Sequence, residues 1–148
     1  MIRLMSAADI PGVCEIENQT KVCAWGVKGY EEVLDGDYVC LVCEEEDAVV
    51  GFVVMRVVSA EAEILNLAVS SGWEGRGIGS SLVEECKKFA KAKGASEIWL
   101  EVRLSNFRAR SFYEKHGFFN VCIRKNFYEN PVEDALVMKC EIVECRRV

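Results

Sequence analysis

Residues 66–83 read Asn-Leu-Ala-Val-Ser-Ser-Gly-Trp-Glu-Gly-Arg-Gly-Ile-Gly-Ser-Ser-Leu-Val, and the periodicity of the chain changes inside this stretch. Glu61 to Val69 reads as a strand. Ile78 to Lys93 reads as an amphipathic helix, with Ile78, Leu82, Cys86, Phe89 and Ala90 inside and Glu84, Glu85, Lys87, Lys88 and Lys91 outside. Gly94 is placed to end it. Between strand and helix, Gly75, Gly77 and Gly79 alternate with Arg76 and Ile78 and lead to Ser80. Glycines let a backbone approach a ligand closely and turn its N–H groups inward. The helix that follows aims its positive end at the same place, so phosphate groups are the natural guest. No Lys follows the glycines, which excludes a Walker A loop. The dinucleotide fingerprint comes within one residue of matching, and Glu101 lies near the place of its ribose-binding acid. Against it, Ser70 to Glu74 intervene between strand and loop, and the half of the chain before the loop is rich in strands.

Working outward, Ile2 to Met5 reads as a short strand. Asp9 to Asn18 has helical spacing at Ile10, Val13 and Ile16, and a second short helix is expected around Lys28 to Leu34. Tyr38 to Cys43 and Val49 to Val58 form a hairpin across the charged tip Glu44 to Asp47. Downstream, Glu97 to Arg103 is a strand with Ile98, Leu100 and Val102 on one face and Trp99, Glu101 and Arg103 on the other. Ser105 or Asn106 caps a helix that runs to His116 and closes at Gly117. Phe118 to Ile123 and Ala135 to Val143 complete the strands. The expectation is one α+β domain over residues 1–148, a central mixed sheet flanked by helices.

Composition narrows the function. The 148 residues carry 18 Lys+Arg against 24 Asp+Glu, a net charge of −6. A basic footprint for nucleic acid or an anionic membrane is missing. The longest apolar run, Val49 to Met55, is far shorter than the roughly 20 residues of a membrane helix. No signal-peptide core is read in Met1 to Met5 before Asp9 and Pro11. A cytoplasmic compartment is therefore expected, with the eight cysteines reduced. Cys40 and Cys43 resemble a CxxC pair but fall on opposite faces of a strand, and Cys140 and Cys145 meet the same obstacle. Buried structural thiols and no metal site are expected.

The glycine-loop stretch is similar to the acetyl-CoA motif of the GNAT acetyltransferases. The likeness continues through Trp99-Leu-Glu-Val-Arg-Leu-Ser-Asn106, Ser111-Phe-Tyr-Glu-Lys-His-Gly-Phe118, Ile123-Arg-Lys-Asn-Phe-Tyr128 and Glu133-Asp-Ala-Leu-Val-Met138. Together with an early Trp at position 25, these blocks resemble the RimI-type N-terminal alanine acetyltransferases over nearly the whole chain. Two positions depart from the pattern. Glu74 stands where the family has Gln or Arg, and Phe127 where a second Tyr is common.

The resemblance implies the GNAT fold and acetyl transfer from acetyl-CoA to an amine, here a protein N-terminus such as that of a ribosomal protein. An α-amino group with a pKa near 7.7–8.0 is mostly ammonium at neutral pH, so a base must take its proton. Glu101 is that candidate, expected in an apolar setting beside Trp99; its alternative is an ion pair with Arg103. Backbone N–H groups at Leu67, Ala68 and Val69 would stabilise the oxyanion and align the pantetheine arm. Tyr113 is implied as the acid for the leaving thiolate, its alternative being a packing aromatic beside Phe112. Asn106 would hold the pantetheine, and Gly75, Arg76, Gly77, Ile78, Gly79 and Ser80 the pyrophosphate. His116, at a helix end, is expected at the surface and outside the chemistry. The implied state is a monomer or weak dimer. Other readings are a GNAT enzyme of a small-molecule amine, a non-catalytic acyl-CoA-binding module and, last, a Rossmann-like oxidoreductase.

Overall fold

The computed structural model describes residues 1–21 and 24–142. Val143 and Cys145 therefore lie outside the described residues. The elements are strand β1 (Ile2–Leu4), helices α1 (Ile10–Thr20) and α2 (Gly26–Asp35), strands β2 (Tyr38–Glu45), β3 (Ala48–Val58) and β4 (Glu61–Val69), helix α3 (Ile78–Ala92), strand β5 (Glu97–Arg103), helix α4 (Phe107–Lys115), and strands β6 (Phe119–Tyr128) and β7 (Glu133–Glu141). A short 3-10 turn, Ala7–Asp9, precedes α1. The β2–β3 hairpin turns on Glu46 and Asp47, both at positive φ, and its strands reach further into the tip than hydropathy indicates. Strand β6 is also longer than Phe118 to Ile123: it is exposed along most of its length, so no burial alternation marks its end.

The strands form one seven-stranded sheet in the order β1-β2-β3-β4-β5-β7-β6. Neighbours are antiparallel except β4 and β5, which are joined through α3 and run parallel. Successive side chains of a strand face opposite ways, so each inner strand feeds two cores. On one face Val53, Met55, Ile98 and Leu100 pack under α3 with Leu82, Val83 and Cys86. On the other, Phe52, Val54 and Ala68 pack under α1 and α2 with Val13, Ile16 and Tyr30. Gly51 marks the close approach of α3: a Cβ there would lie 2.9 Å from Ile78 Cγ2.

The feature that positions the site is a parting in the sheet. β4 and β5 pair only through Glu61↔Glu97, Ala62↔Ile98 and Glu63↔Trp99. The next pairing of β4 to β3 slips, Met55 opposing Ile64 and Val54 opposing Asn66, so Leu65 is a bulge. The bulge reverses the phase of the strand. Ala62 and Ile64 belong to the α3 core before it; Leu67 and Val69 do so after it, while Ala68 turns to α1 and α2. From Ile64 to Val69, β4 therefore runs beside Leu100 to Arg103 without a ladder between them. Only a tertiary pairing defect opens this cleft, and the glycine loop stands at its end.

Candidate active site

The loop after β4 is built to present backbone. Gly75 and Gly77 have φ of 74° and 80°, values that disfavour any side chain, and a Cβ on either would meet open space. Gly77 is the N-cap of α3, so the first N–H groups of that helix, at Ile78, Gly79 and Ser80, have no acceptor within it. Gly79 is present for another reason: a Cβ there would come 3.3 Å from the Phe112 ring of α4. Gln19 of α1 steadies the approach, accepting from Ser70 Oγ at 3.1 Å and Ser71 N at 3.0 Å. Arg76 lies over the Trp73 ring at 4.5 Å. Glu74 turns to Arg108 of α4 at 3.4 Å, which partly neutralises the carboxylate that departs from the family pattern. Backbone donors at a helix N-terminus, with glycine at alternate positions before and among them, fit a diphosphate.

At the other end of the cleft, Glu101 lies where β5 pairs with β7 but no longer with β4. It faces an open groove of about 440 Å³ lined by Arg56, Glu63, Trp99, Cys122 and Arg124. Its surroundings differ from the apolar setting expected. The Glu101 carboxylate accepts from Arg124 Nη1 of β6 at 2.7 Å, and its side chain is 19% exposed. The Trp99 indole N–H instead donates to Glu97 at 3.0 Å. The alternative pairing with Arg103 is not formed either. Arg103 donates to Glu129 O at 2.9 Å and Pro131 O at 3.0 Å, meets Glu133 at 3.4 Å and stacks on Tyr128. β6 folds back over this face and brings Arg124 to Glu101, while the Glu129 and Pro131 carbonyls hold Arg103. Burial and then nearby Glu101 push the Tyr128 phenol up to about 12.

Tyr113 comes from the opposite face of the sheet. It is buried in the α3 core, edge-on to Phe112 at 5.2 Å and to Phe118 at 5.4 Å, and burial raises its phenol well above the usual range. These are the contacts of a packing aromatic, the alternative that the sequence left open for Tyr113. Asn106 is the N-cap of α4, its Oδ1 accepting from Ala109 N at 3.1 Å, so the capping reading holds for Asn106 and not for Ser105. Ser105 N donates to Glu133 instead.

Two networks went unread in the sequence. Glu17, buried in α1, accepts from Trp25 N, Gly26 N and Tyr30 Oη, and Tyr30 Oη accepts from Asn66 Nδ2 at 2.9 Å. This joins α1, α2 and the bulged part of β4. His116, expected at the surface, has only 14% of its side chain exposed and touches Ser80 and Glu84 of α3. A lone His near a helix end gives no sign of a partner contributed by another helix.

The thiols fit the sequence reading in part. Cys40 and Cys43 face different cores, as strand geometry requires. Burial pushes the Cys40 thiol up to about 11 and Cys86 up to about 12, which disfavours thiolate. Cys122, expected to be buried, is exposed on β6. Among the described residues no cluster of His, Cys, Asp or Glu could hold a metal ion. Nor is any described helix long and apolar enough to cross a membrane.

A parted β4–β5 pair has a glycine cradle at one end and a carboxylate at the other. Residues 10–118 match the model of the acetyltransferase (GNAT) family, and the chain belongs to that family. It is an acetyl-CoA-dependent N-acetyltransferase. A Haemophilus influenzae protein named ribosomal protein bS18-alanine N-acetyltransferase is 36% identical over 143 residues, covering 95% of this chain and 97% of the relative. The crystal structure of the Escherichia coli ribosomal-protein-S18-alanine N-acetyltransferase superposes with a TM-score of 0.88 at 28% identity, over 99% of this chain and 96% of that one. Ard1 from Thermoplasma volcanium gives 0.89 at 27% identity, over 97% and 98%.

Proposed function

We propose that the chain acetylates the N-terminal α-amino group of a protein, with the N-terminal alanine of a ribosomal protein as substrate. The observation that carries this reading is the cleft, which leads from the glycine loop to Glu101 and opens there on a groove of about 440 Å³. The substrate follows the names of relatives that match along nearly their whole length. A net charge of −6 suits a basic partner. In this reading residues 1–148 are one domain that works in the cytoplasm as a monomer or weak dimer, away from nucleic acid and membrane.

The pyrophosphate of acetyl-CoA sits on Gly75, Arg76, Gly77, Ile78, Gly79 and Ser80. The pantetheine runs beside Leu67, Ala68 and Val69, with Asn106 as a further contact. Glu101 takes a proton from the ammonium group, directly or through water, and the amine nitrogen attacks the thioester carbonyl. An N–C bond forms, and N–H groups of β4 hold the oxyanion. The C–S bond then breaks, and Tyr113 protonates the departing sulfur. Glu101 and Tyr113 lie on opposite faces of the sheet. Burial that raises the Tyr113 phenol also raises the proton affinity of a thiolate in the same place, so the transfer stays feasible.

The test is release of CoA from acetyl-CoA with hexapeptides that differ only in residue one. Turnover of Ala- or Ser-starting peptides supports the reading. Turnover of free small amines alone would reassign the substrate, and tight acetyl-CoA binding without any turnover would leave a binding module.

A further inference from the structure

Ser80, His116 and Glu84 form a chain of contacts outside the steps above. Ser80 and Glu84 are four residues apart on α3 and share one face. His116 follows α4 and reaches across to both, with Nε2 2.9 Å from Ser80 Oγ and Nδ1 3.1 Å from Glu84 Oε1. The Phe112 ring of α4 packs against the imidazole at 4.9 Å. Lys87 of α3 donates to the His116 carbonyl at 2.6 Å and meets Glu84 at 3.3 Å, while Cys140 of β7 donates to the same carbonyl at 3.7 Å. Glu114 and Lys115, its neighbours in the chain, are exposed.

The partners fix the proton positions. A carboxylate only accepts, so Nδ1 carries a hydrogen and donates it to Glu84. In the neutral ring Nε2 is then an acceptor, and the Ser80 hydroxyl donates a hydrogen bond to it. In the imidazolium Nε2–H donates to Ser80 Oγ, and the hydroxyl proton must turn elsewhere. Ser80 lies in the first turn of α3, at the cradle, so the freed hydroxyl has an acceptor there when a diphosphate is bound. Burial works against ionisation of Glu84, but the hydrogen bond from His116 and the Lys87 charge outweigh it and hold the carboxyl below its usual range.

We propose that His116 is a positioning residue of the phosphate cradle, whose protonation turns the Ser80 hydroxyl from the imidazole to the pyrophosphate of the bound acyl-CoA. The inference rests on the placement of the pyrophosphate given above. Binding is tighter to the imidazolium form, by about three- to tenfold, the typical net worth of one hydrogen bond. Acetyl-CoA affinity therefore rises as pH falls through the His116 range, whereas the amine substrate becomes less reactive over the same range.

His116 is the only histidine of the chain, so its imidazole resonance in an untagged protein reports this titration alone. The probe is dephospho-CoA, which lacks the 3′-phosphate whose second ionisation lies near pH 6. By reciprocity, saturating dephospho-CoA raises the His116 midpoint by about half to one pH unit. In Ser80→Ala the rise falls below half of that. Calorimetry shows tighter binding at pH 6 than at pH 8 in the wild type and a flat profile in His116→Gln. An unmoved or lowered midpoint in the wild type, or an equal rise in Ser80→Ala, overturns the inference while the cradle stands. Binding that Gly77→Val leaves unchanged overturns the cradle reading, and the inference with it.

Discussion

Glu101 and Tyr113 show how little a side chain's identity says before its neighbours are known. Glu101 works, in our reading, from the open face of the sheet with Arg124 as its fixed partner, and Tyr113 from within the packed face. Glu101→Gln keeps the shape and removes the proton acceptor, so kcat with an N-terminal peptide should fall by about 10²- to 10⁴-fold while acetyl-CoA binding is retained. Tyr113→Phe keeps the ring packing and should lose about 10²-fold in kcat. Steady-state kinetics beside calorimetric binding checks both, and kcat unchanged in either variant removes that residue from the mechanism. Residue types were legible at these positions because spacing put Glu101 on the face of β5 away from Ile98 and Leu100. The partner Arg124 was not, since it arrives from a strand 23 residues later in the chain.

At the scale of elements, α3 is the piece on which the cradle depends. Its seat is Gly51 on β3, where an added methyl would meet Ile78 Cγ2 at 2.9 Å and Leu82 Cδ1 at 3.3 Å. Gly51→Ala should therefore destabilise the fold by about 1–3 kcal/mol through overpacking and weaken acetyl-CoA binding by displacing the helix start. Urea unfolding with a binding isotherm tests this; an unchanged midpoint would mean that α3 moves freely on the sheet. The strand β4 gives the second example. Glu61 to Val69 read correctly as a strand, but its apolar residues do not record the phase change at Leu65. Tyr30 holds the strand just beyond that bulge by linking Asn66 to Glu17. Tyr30→Phe removes a buried donor to a carboxylate and an acceptor for an amide, and should lower stability by about 1–3 kcal/mol, read by the same unfolding curves.

For the whole molecule, the sheet is closed at its first edge by charge. Asp9 is buried and accepts two bonds from the Arg3 guanidinium, each 2.8 Å, and one from Ser6 N, while Arg3 also meets Glu44 of β2 at 2.7 Å. The Arg3 hydrogen bonds hold the Asp9 carboxyl below its usual range despite burial. A carboxyl depressed in the folded state adds stability above its unfolded pKa, near 3.9, and loses it as pH falls through the lower folded value. Arg3→Met should thus lower Tm at pH 7, and the difference from wild type should shrink as pH drops below about 4. A difference that stays constant down to pH 2 would assign the loss to packing of the Arg3 stem.

The order of elements, the glycine loop, the inward face of α3, the two faces of β5 and the family were all determined by the sequence itself. The family came from the resemblance of whole motif blocks; the others rest on local rules: a period of two or of 3.6, a cap, or a backbone conformation that glycine accepts. The parting of β4 from β5, the pairing of Glu101 with Arg124 and the Ser80–His116–Glu84 contacts were decided by the tertiary structure alone. They join segments far apart in the chain, and no local period records which distant side chain arrives. The resemblance implied candidate residues for the reaction; the bulge at Leu65, where β4 leaves β5, is a feature of the tertiary structure.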